Sequence, residues 1–171
     1  IGIVGIGVMG RNIALNFSDN DINVVVFNKS KDKIDDLIHE GSKKNISGFT
    51  SLNEFVKNIE SPRNILLMVP SGEATNSVAE ELLDLLDHDD VLIDGGNSFY
   101  KDSLELGNKC KKKNICFVQL ISPTTSYRRA KKIIKDSHEM IYYISMLSTT
   151  GGILKVSPKE IIKNYKKLKK I

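Results

Sequence analysis

The chain has no tryptophan, two cysteines, three histidines and four prolines in 171 residues. Each scarcity closes off a class. Cys110 and Cys116 form no C-x-x-C pair, and the surrounding patterns place one on a helix and the other on a strand. Neither a disulfide framework nor a thiolate metal site is expected, and a reduced cytoplasmic setting is the simplest reading. His39, His88 and His138 are scattered without ligand spacing, so no metal site is expected either. No stretch approaches the unbroken apolar length of a bilayer span, so membrane insertion is not expected; the first segment shows no secretory signal, and because the sequence opens on Ile and not Met a processed leader stays open. What remains, 40% hydrophobic and 27% charged residues, is ordinary globular composition. The length suits one well-buried α/β domain plus a short extension.

Charge is divided unevenly. Residues 1–100 carry 8 Lys and Arg against 16 Asp and Glu, whereas residues 101–171 carry 17 against 5. The net charge of +4 therefore hides an acidic part joined to a basic one. Lys111-Lys112-Lys113, Arg128-Arg129, Lys131-Lys132 and the cluster from Lys166 to Lys170 supply most of the excess. Such runs can hold an acidic ligand or nucleic acid. They lack interleaved aromatic platforms and any nucleic-acid motif, so a solvated helix face is the favoured reading and nucleic acid is not the expected partner.

The most informative segment comes first. Ile1-Gly2-Ile3-Val4 is a short apolar run that flows into Gly5-Ile6-Gly7-Val8-Met9-Gly10, a G-x-G-x-x-G sequence. A strand entering such a turn hands the pyrophosphate of a dinucleotide to the N-terminus of the next helix. Gly5 allows the tight turn, Gly7 lets backbone approach the pyrophosphate, and Gly10 lets the helix pack closely on its strand. Ile13, Ala14 and Phe17 then recur at helical spacing, Ser18-Asp19-Asn20-Asp21 closes the helix, and Ile22 to Phe27 reads as a strand buried on both faces. At the end of that strand a domain selective for NAD carries an acid for the ribose 2′-hydroxyl. This chain has Asn28-Lys29-Ser30 instead. An amide, an ammonium and a hydroxyl repel no phosphate and can donate hydrogen bonds to one, which favours NADP. Ser30 equally suits the N-cap of a helix from Lys31 to Glu40, and the two roles are compatible.

The alternation continues. Ser51 to Ile59 reads as a short helix with Ser51 and Glu54 in a capping-box pattern, Arg63 to Val69 as a strand, and Pro70-Ser71-Gly72 as its carboxyl-end loop. Glu73 to Leu86 is an amphipathic helix, Val91 to Ile93 a strand ending in Asp94-Gly95-Gly96-Asn97-Ser98, Asp102 to Lys112 a helix and Ile115 to Val118 a strand. Together they make an α/β, Rossmann-like, doubly wound, mainly parallel domain, followed by a short basic, partly helical C-terminal extension. Ligands of such sheets sit outside the carboxyl ends of the strands, where Asn97 has donor and acceptor groups suited to a carboxamide or a hydroxyl-rich substrate.

The ordered set Gly-Ile-Gly-Val-Met-Gly at 5–10, Phe27-Asn28-Lys29-Ser30, Leu67-Met68-Val69-Pro70-Ser71-Gly72 and Ile93-Asp94-Gly95-Gly96-Asn97-Ser98 resembles the N-terminal Rossmann domain of the 6-phosphogluconate dehydrogenases, within the wider β-hydroxyacid dehydrogenases. The resemblance covers roughly residues 1–118, leaving 119–171 as a divergent basic tail. It implies metal-free oxidative decarboxylation of 6-phosphogluconate to ribulose 5-phosphate with NADP, in the cytoplasmic pentose phosphate pathway. By the resemblance, Gly5, Ile6, Gly7, Val8, Met9 and Gly10 hold the pyrophosphate and Asn28, Lys29 and Ser30 the 2′-phosphate. Val69, Pro70 and Ser71 line the adenosine and nicotinamide path, and Asn97 touches both nicotinamide and sugar acid. Lys29 stands where the family commonly has Arg, and Pro70 replaces a frequent Lys.

After Val118 the family's Ser-Gly-Gly substrate loop is replaced by Gln119-Leu120-Ile121-Ser122-Pro123-Thr124-Thr125-Ser126-Tyr127-Arg128-Arg129. The family's general-base lysine, acid glutamate and dimerising helical domain lie farther along, so no residue here is assigned as catalytic and a lone chain is expected to be inactive. Lys167, Lys169 and Lys170 lie outside any matching motif. An abrupt change of this kind is what a reading-frame shift or gene remnant produces, and a shifted frame of the coding sequence should then restore Ser-Gly-Gly. The segment 126–136 itself reads as an amphipathic helix carrying Ile133 and Ile134. Two alternatives to a truncated dehydrogenase stay open: a non-catalytic NADP-binding or regulatory module whose tail recruits a partner, and a nucleic-acid binder using that tail.

Overall fold

Ile3 and Val4 on one strand and Val24 to Phe27 on the next are all buried, with no polar residue in alternation, so the sheet they build needs a cover on both faces. A computed structural model provides it, describing residues 1–41, 45–70, 72–96, 98, 100–122, 125–136, 140–143 and 157–168. In chain order the elements are β1 (Gly2–Val4), α1 (Val8–Asp19), β2 (Val24–Phe27), α2 (Lys31–Glu40), β3 (Ile46–Phe49), α3 (Leu52–Lys57), β4 (Asn64–Leu67), α4 (Glu73–Leu85), β5 (Val91–Asp94), α5 (Tyr100–Lys112) and β6 (Cys116–Ile121). There follow α6 (Tyr127–Asp136), β7 (Ile141–Tyr143) and α7 (Pro158–Leu168). The chain divides into two compact units, residues 1–117 and 118–171.

In the first unit the strand order is β3-β2-β1-β4-β5, all parallel, with the head of β6 next to β5. The amide of Cys116 donates to the Asp90 carbonyl at 2.9 Å to close that edge. Side chains leave a strand alternately, so the two faces draw on different residues. Ile3, Val24 and Val26 join Ala14 of α1 and Ile34 and Leu37 of α2 on one face. Val4, Val25, Phe27, Ile65, Leu67 and Leu92 join Phe55 of α3, Val78 and Leu82 of α4 and Leu106 and Cys110 of α5 on the other. Phe27 and Phe55 meet with ring centroids 6.1 Å apart and tilted by 60°, a geometry that suits the opposed edge and face of aromatic rings. The expected doubly wound α/β architecture is what the structure shows.

Three details differ from the sequence pattern. Helix α1 starts at Val8, so Gly10 lies inside it. β3 had no strand signal of its own, because only Ile46 of its Ile-Ser-Gly-Phe is fully buried. It is held in place by Asn45, whose Nδ2 donates to the Ser18 carbonyl at 3.2 Å and the Ile22 carbonyl at 2.9 Å, with Ser18 Oγ donating to Asn45 Oδ1. β6 runs on to Ile121, past the expected limit at Val118.

At the amino ends of β4 and β5 a paired cluster holds the sheet together. The Arg63 amide donates to Asp90 Oδ1 at 2.6 Å and its Nη1 to Asp90 Oδ2 and Asp87 Oδ2, each at 2.9 Å, while Nε donates to the Val56 carbonyl at 3.1 Å. Hydrogen bonds to Asp87, then Asp90, raise the guanidinium above its usual range, so it stays charged.

In the second unit, β6 pairs with β7 in parallel, Gln119 opposite Ile141 and Ile121 opposite Tyr143. Ala130 and Ile133 of α6 cover Ile121, with Ile134, Ile141 and Tyr143 packed around them. The other side of α6 exposes Arg128, Lys131, Lys132 and Lys135, in keeping with the expected amphipathic helix. No helix among the described residues is long and apolar enough to cross a membrane.

Candidate cofactor site

Register aligns the site before any side chain is considered. Phe27 pairs with Val4, Val4 with Leu67, and Leu67 with Asp94, so the four strands end in one row. The next residues, Asn28, Gly5, Met68 and Gly95, therefore emerge side by side at the carboxyl rim. The winding reverses between β1 and β4, which is where an open parallel sheet forms its ligand crevice.

The glycine turn is fastened to both neighbours. Gly5 N–H donates to the Phe27 carbonyl at 2.9 Å and Met68 N–H to the Val4 carbonyl at 2.8 Å. Gly5 has φ +91°, a region that L side chains avoid, and a Cβ there would lie 2.8 Å from Met68 O and from Val69 Cγ1. At Gly10 a Cβ would fall 2.0 Å from the Gly5 carbonyl oxygen, which no rotamer change relieves. The folded chain itself thus demands both residues. Gly7 is different: its backbone is extended, φ −63° and ψ −173°, and a Cβ there would meet nothing within 4 Å. Among the described residues nothing asks for glycine at this position.

Gly7 is also the N-cap of α1, with no side-chain cap and no acid in the first turn. An uncapped helix N-terminus presents amide donors and the positive end of the helix dipole. Ile6 is buried, whereas Val8 is 78% and Met9 40% exposed, two apolar side chains at the rim for a bound ligand to cover. This donor set and this open space fit a dinucleotide pyrophosphate.

Beyond β2, the Asn28 carboxamide is turned inward. Its Oδ1 accepts from Ile6 N–H at 3.5 Å and its Nδ2 donates to the Ser30 carbonyl at 3.3 Å. Lys29 is exposed and, among the described residues, makes no ion pair. Ser30 is the N-cap of α2, as its sequence position suggests, yet its side chain makes no cap bond, while Ser51 does accept from Glu54 N–H at 3.5 Å. The Ser30 hydroxyl and the Lys29 ammonium are therefore both available to one ligand. Asp32 lies in the same first turn.

After β4, Val69 touches the glycine turn and Pro70 is exposed; Thr75 of α4, itself buried, donates to the Pro70 carbonyl at 2.8 Å and fixes the loop. After β5, the carboxylate of Asp94 is 2% exposed and accepts from Gly96 N–H at 3.1 Å and from Ser103 Oγ at 3.3 Å, tying the loop back to α5. Ser98 Oγ is buried without a hydrogen-bond partner among the described residues. Ser71 and Asn97, both expected in the site, lie outside the described residues. Thr75, Asp94 and Ser98 are roles that residue type alone did not reveal; for Asp94, the available signal was a carboxylate closing an apolar strand. Among the described residues no cluster of His, Cys, Asp or Glu could hold a metal ion. Both cysteines are free thiols, and burial pushes the Cys110 thiol up to about 12, leaving it a neutral core group.

Comparison with known proteins agrees with this geometry. A sequence model of the family described as the NAD binding domain of 6-phosphogluconate dehydrogenase matches residues 1–141. The NADP(+)-dependent, decarboxylating 6-phosphogluconate dehydrogenase of Bacillus subtilis (strain 168) is 42% identical over 118 residues, 69% of this chain and 25% of the relative. The decarboxylating 6-phosphogluconate dehydrogenase of Staphylococcus aureus (strain Mu50) is 44% identical over the same length and shares of the two chains. This chain thus spans about a quarter of the length of the curated relatives it matches. Among solved structures, Plasmodium falciparum 6-phosphogluconate dehydrogenase, determined apo, with NADP+ and with 6-phosphogluconate, has a TM-score of 0.66 at 23% identity over 84% of this chain and 36% of its own. Mycobacterium tuberculosis 3-hydroxyisobutyrate dehydrogenase has the same fold, with a TM-score of 0.62 at 16% identity over 83% of this chain and 53% of its own. The chain belongs to the family of NAD-binding domains of 6-phosphogluconate dehydrogenase.

Proposed function

We propose that this chain is the NADP-binding portion of a decarboxylating 6-phosphogluconate dehydrogenase. The observation that carries the reading is Gly7, a glycine that no described neighbour requires, at an uncapped helix N-terminus on the switch point of the sheet. The turn from Gly5 to Gly10 holds the pyrophosphate on the amides that open α1. Lys29 and Ser30, with Asn28 behind them, meet the 2′-phosphate. By the family resemblance, Val69, Pro70 and Ser71 serve the adenosine and nicotinamide path, and Asn97 is the contact to both nicotinamide and sugar acid. Bound NADP supplies the hydride acceptor for oxidation of the sugar-acid hydroxyl. The chain's own residues bind and orient it; the base and acid of the reaction lie outside the segments that match the family, so cofactor binding without turnover is expected of the chain alone.

A second reading, a non-catalytic NADP-binding module that recruits a partner, draws on the exposed basic faces of α6 and α7; on α7, Lys159, Lys163, Lys166 and Lys167 are all exposed. Assaying 6-phosphogluconate oxidation after mixing the chain with the remaining portion of a relative separates the two: recovered turnover supports the first, and its absence with intact NADP binding supports the second. The cofactor assignment is tested by titrating NADP and NAD against the chain and against Lys29→Glu. Tighter binding of NADP, abolished by the charge reversal, is expected. Equal affinities unmoved by the substitution contradict the 2′-phosphate site.

A further inference from the structure

Asn28 stands where a 2′-phosphate ligand is expected, but its side chain is already engaged. The end of β2 receives the glycine turn through two successive amides. Gly5 N–H donates to the backbone carbonyl of Phe27 at 2.9 Å, and Ile6 N–H donates to the side-chain oxygen of Asn28 at 3.5 Å. The other end of the same carboxamide donates to the Ser30 carbonyl at 3.3 Å, and the Asn28 backbone amide is held by the Phe49 carbonyl at 3.2 Å. One planar group thus joins the turn that opens α1 to the residue that caps α2. Ile6 is 4% exposed, so a substitution that removes the acceptor leaves its amide without a partner, a costly state for a buried donor. Aspartate at this position would keep the acceptor for Ile6 but put two acceptor oxygens against the Ser30 carbonyl. The carboxamide alone satisfies both neighbours.

We propose that Asn28 is a positioning residue that couples the pyrophosphate turn to the 2′-phosphate loop, and that selection of NADP over NAD rests on Lys29 and Ser30. The proposal rests on the cofactor reading above. Its consequence is a division of labour: Asn28 acts on the part of the ligand that NAD and NADP share, Lys29 on the part that only NADP has.

The test uses NADPH and NADH, titrated by their own fluorescence against the full chain, Asn28→Ala and Lys29→Ala, with thermal midpoints recorded for each. Asn28→Ala is expected to weaken both nucleotides by the same factor, on the order of tenfold, as for loss of one hydrogen bond that organises the site. Lys29→Ala is expected to weaken NADPH by a similar factor and leave NADH unchanged. Hydrogen exchange at the Ile6 amide supplies a second readout that needs no ligand: it should quicken in Asn28→Ala while the Gly5 amide stays protected. Loss of NADPH affinity alone in Asn28→Ala makes the residue a direct phosphate ligand and overturns the proposal. So does an unchanged Ile6 exchange rate, even where the variant binds poorly because it folds poorly. If the unaltered chain binds neither nucleotide, the cofactor reading fails, and the exchange experiment still decides whether Asn28 holds the turn.

Discussion

The two rims of the sheet, a few residues apart along each strand, are built on opposite principles. At the amino rim, Arg63, Asp87 and Asp90 satisfy one another: the Asp90 side chain is 1% exposed yet accepts from the Arg63 amide, the Arg63 guanidinium and the Asp87 amide. At the carboxyl rim, among the described residues, α1 starts without a cap, Ser30 caps α2 without using its hydroxyl, Ser98 Oγ is buried and unpaired, and Gly7 faces open space. A rim whose charged groups are all paired within the chain has a structural task. A rim that keeps some donors open beside its paired groups has capacity for a ligand.

Substitutions can break or sharpen that contrast. The largest effect is expected at the amino rim, where Arg63→Ala leaves the buried Asp90 carboxylate without its counter-charge and should cost about 3 kcal/mol in denaturant unfolding, with nucleotide affinity of the folded fraction unchanged. Next comes Gly10→Ala, a carboxyl-rim change that acts through packing because the new methyl group meets the Gly5 carbonyl; a loss of up to about 3 kcal/mol is expected together with loss of binding. Asp94→Ala leaves the Gly96 amide and the Ser103 hydroxyl without their acceptor. It should cost about 2 kcal/mol and weaken the nucleotide as the loop loosens.

A smaller effect distinguishes the core from both rims. Burial raises the Cys110 thiol from 9.0 to about 12, so above pH 9 the unfolded chain releases a proton that the folded chain keeps. Stability therefore falls as pH rises from about 9 toward 12, by at most about 1.4 kcal/mol per pH unit from this group. Thermal midpoints at pH 7 and 10 should drop more steeply for the unaltered chain than for Cys110→Ala.

Much of this architecture was legible in the residues. The runs Ile1 to Val4, Ile22 to Phe27 and Arg63 to Val69 announced buried parallel strands, although β2 and β4 are shorter than that and Ile22 is exposed ahead of β2, and Gly5, Gly7 and Gly10 announced the turn between the first strand and its helix. Less could be read where the cause is tertiary. β3 is a strand because Asn45 and the neighbouring β2 hold it, and Ile-Ser-Gly-Phe carries no such signal by itself. Asn28 has the residue type of a phosphate ligand, but whether its amide faces a ligand or the backbone of Ile6 and Ser30 depends on the register between β1 and β2. Asp94 reads as part of a turn until burial and Ser103 show that it anchors the loop. Sequence located the rim, and packing assigned the tasks along it.

The central claim concerns an anion seated on the amides of the glycine turn, and Gly7→Ala tests it most directly. The backbone there suits any residue and the methyl group meets no atom of the described residues within 4 Å, so the variant should fold as well as the parent or better, by about 0.5 kcal/mol from reduced freedom of the unfolded chain. Measured side by side, its thermal midpoint should hold or rise while affinity for both NADPH and NADH collapses. Unchanged affinity in a folded Gly7→Ala protein would contradict the account.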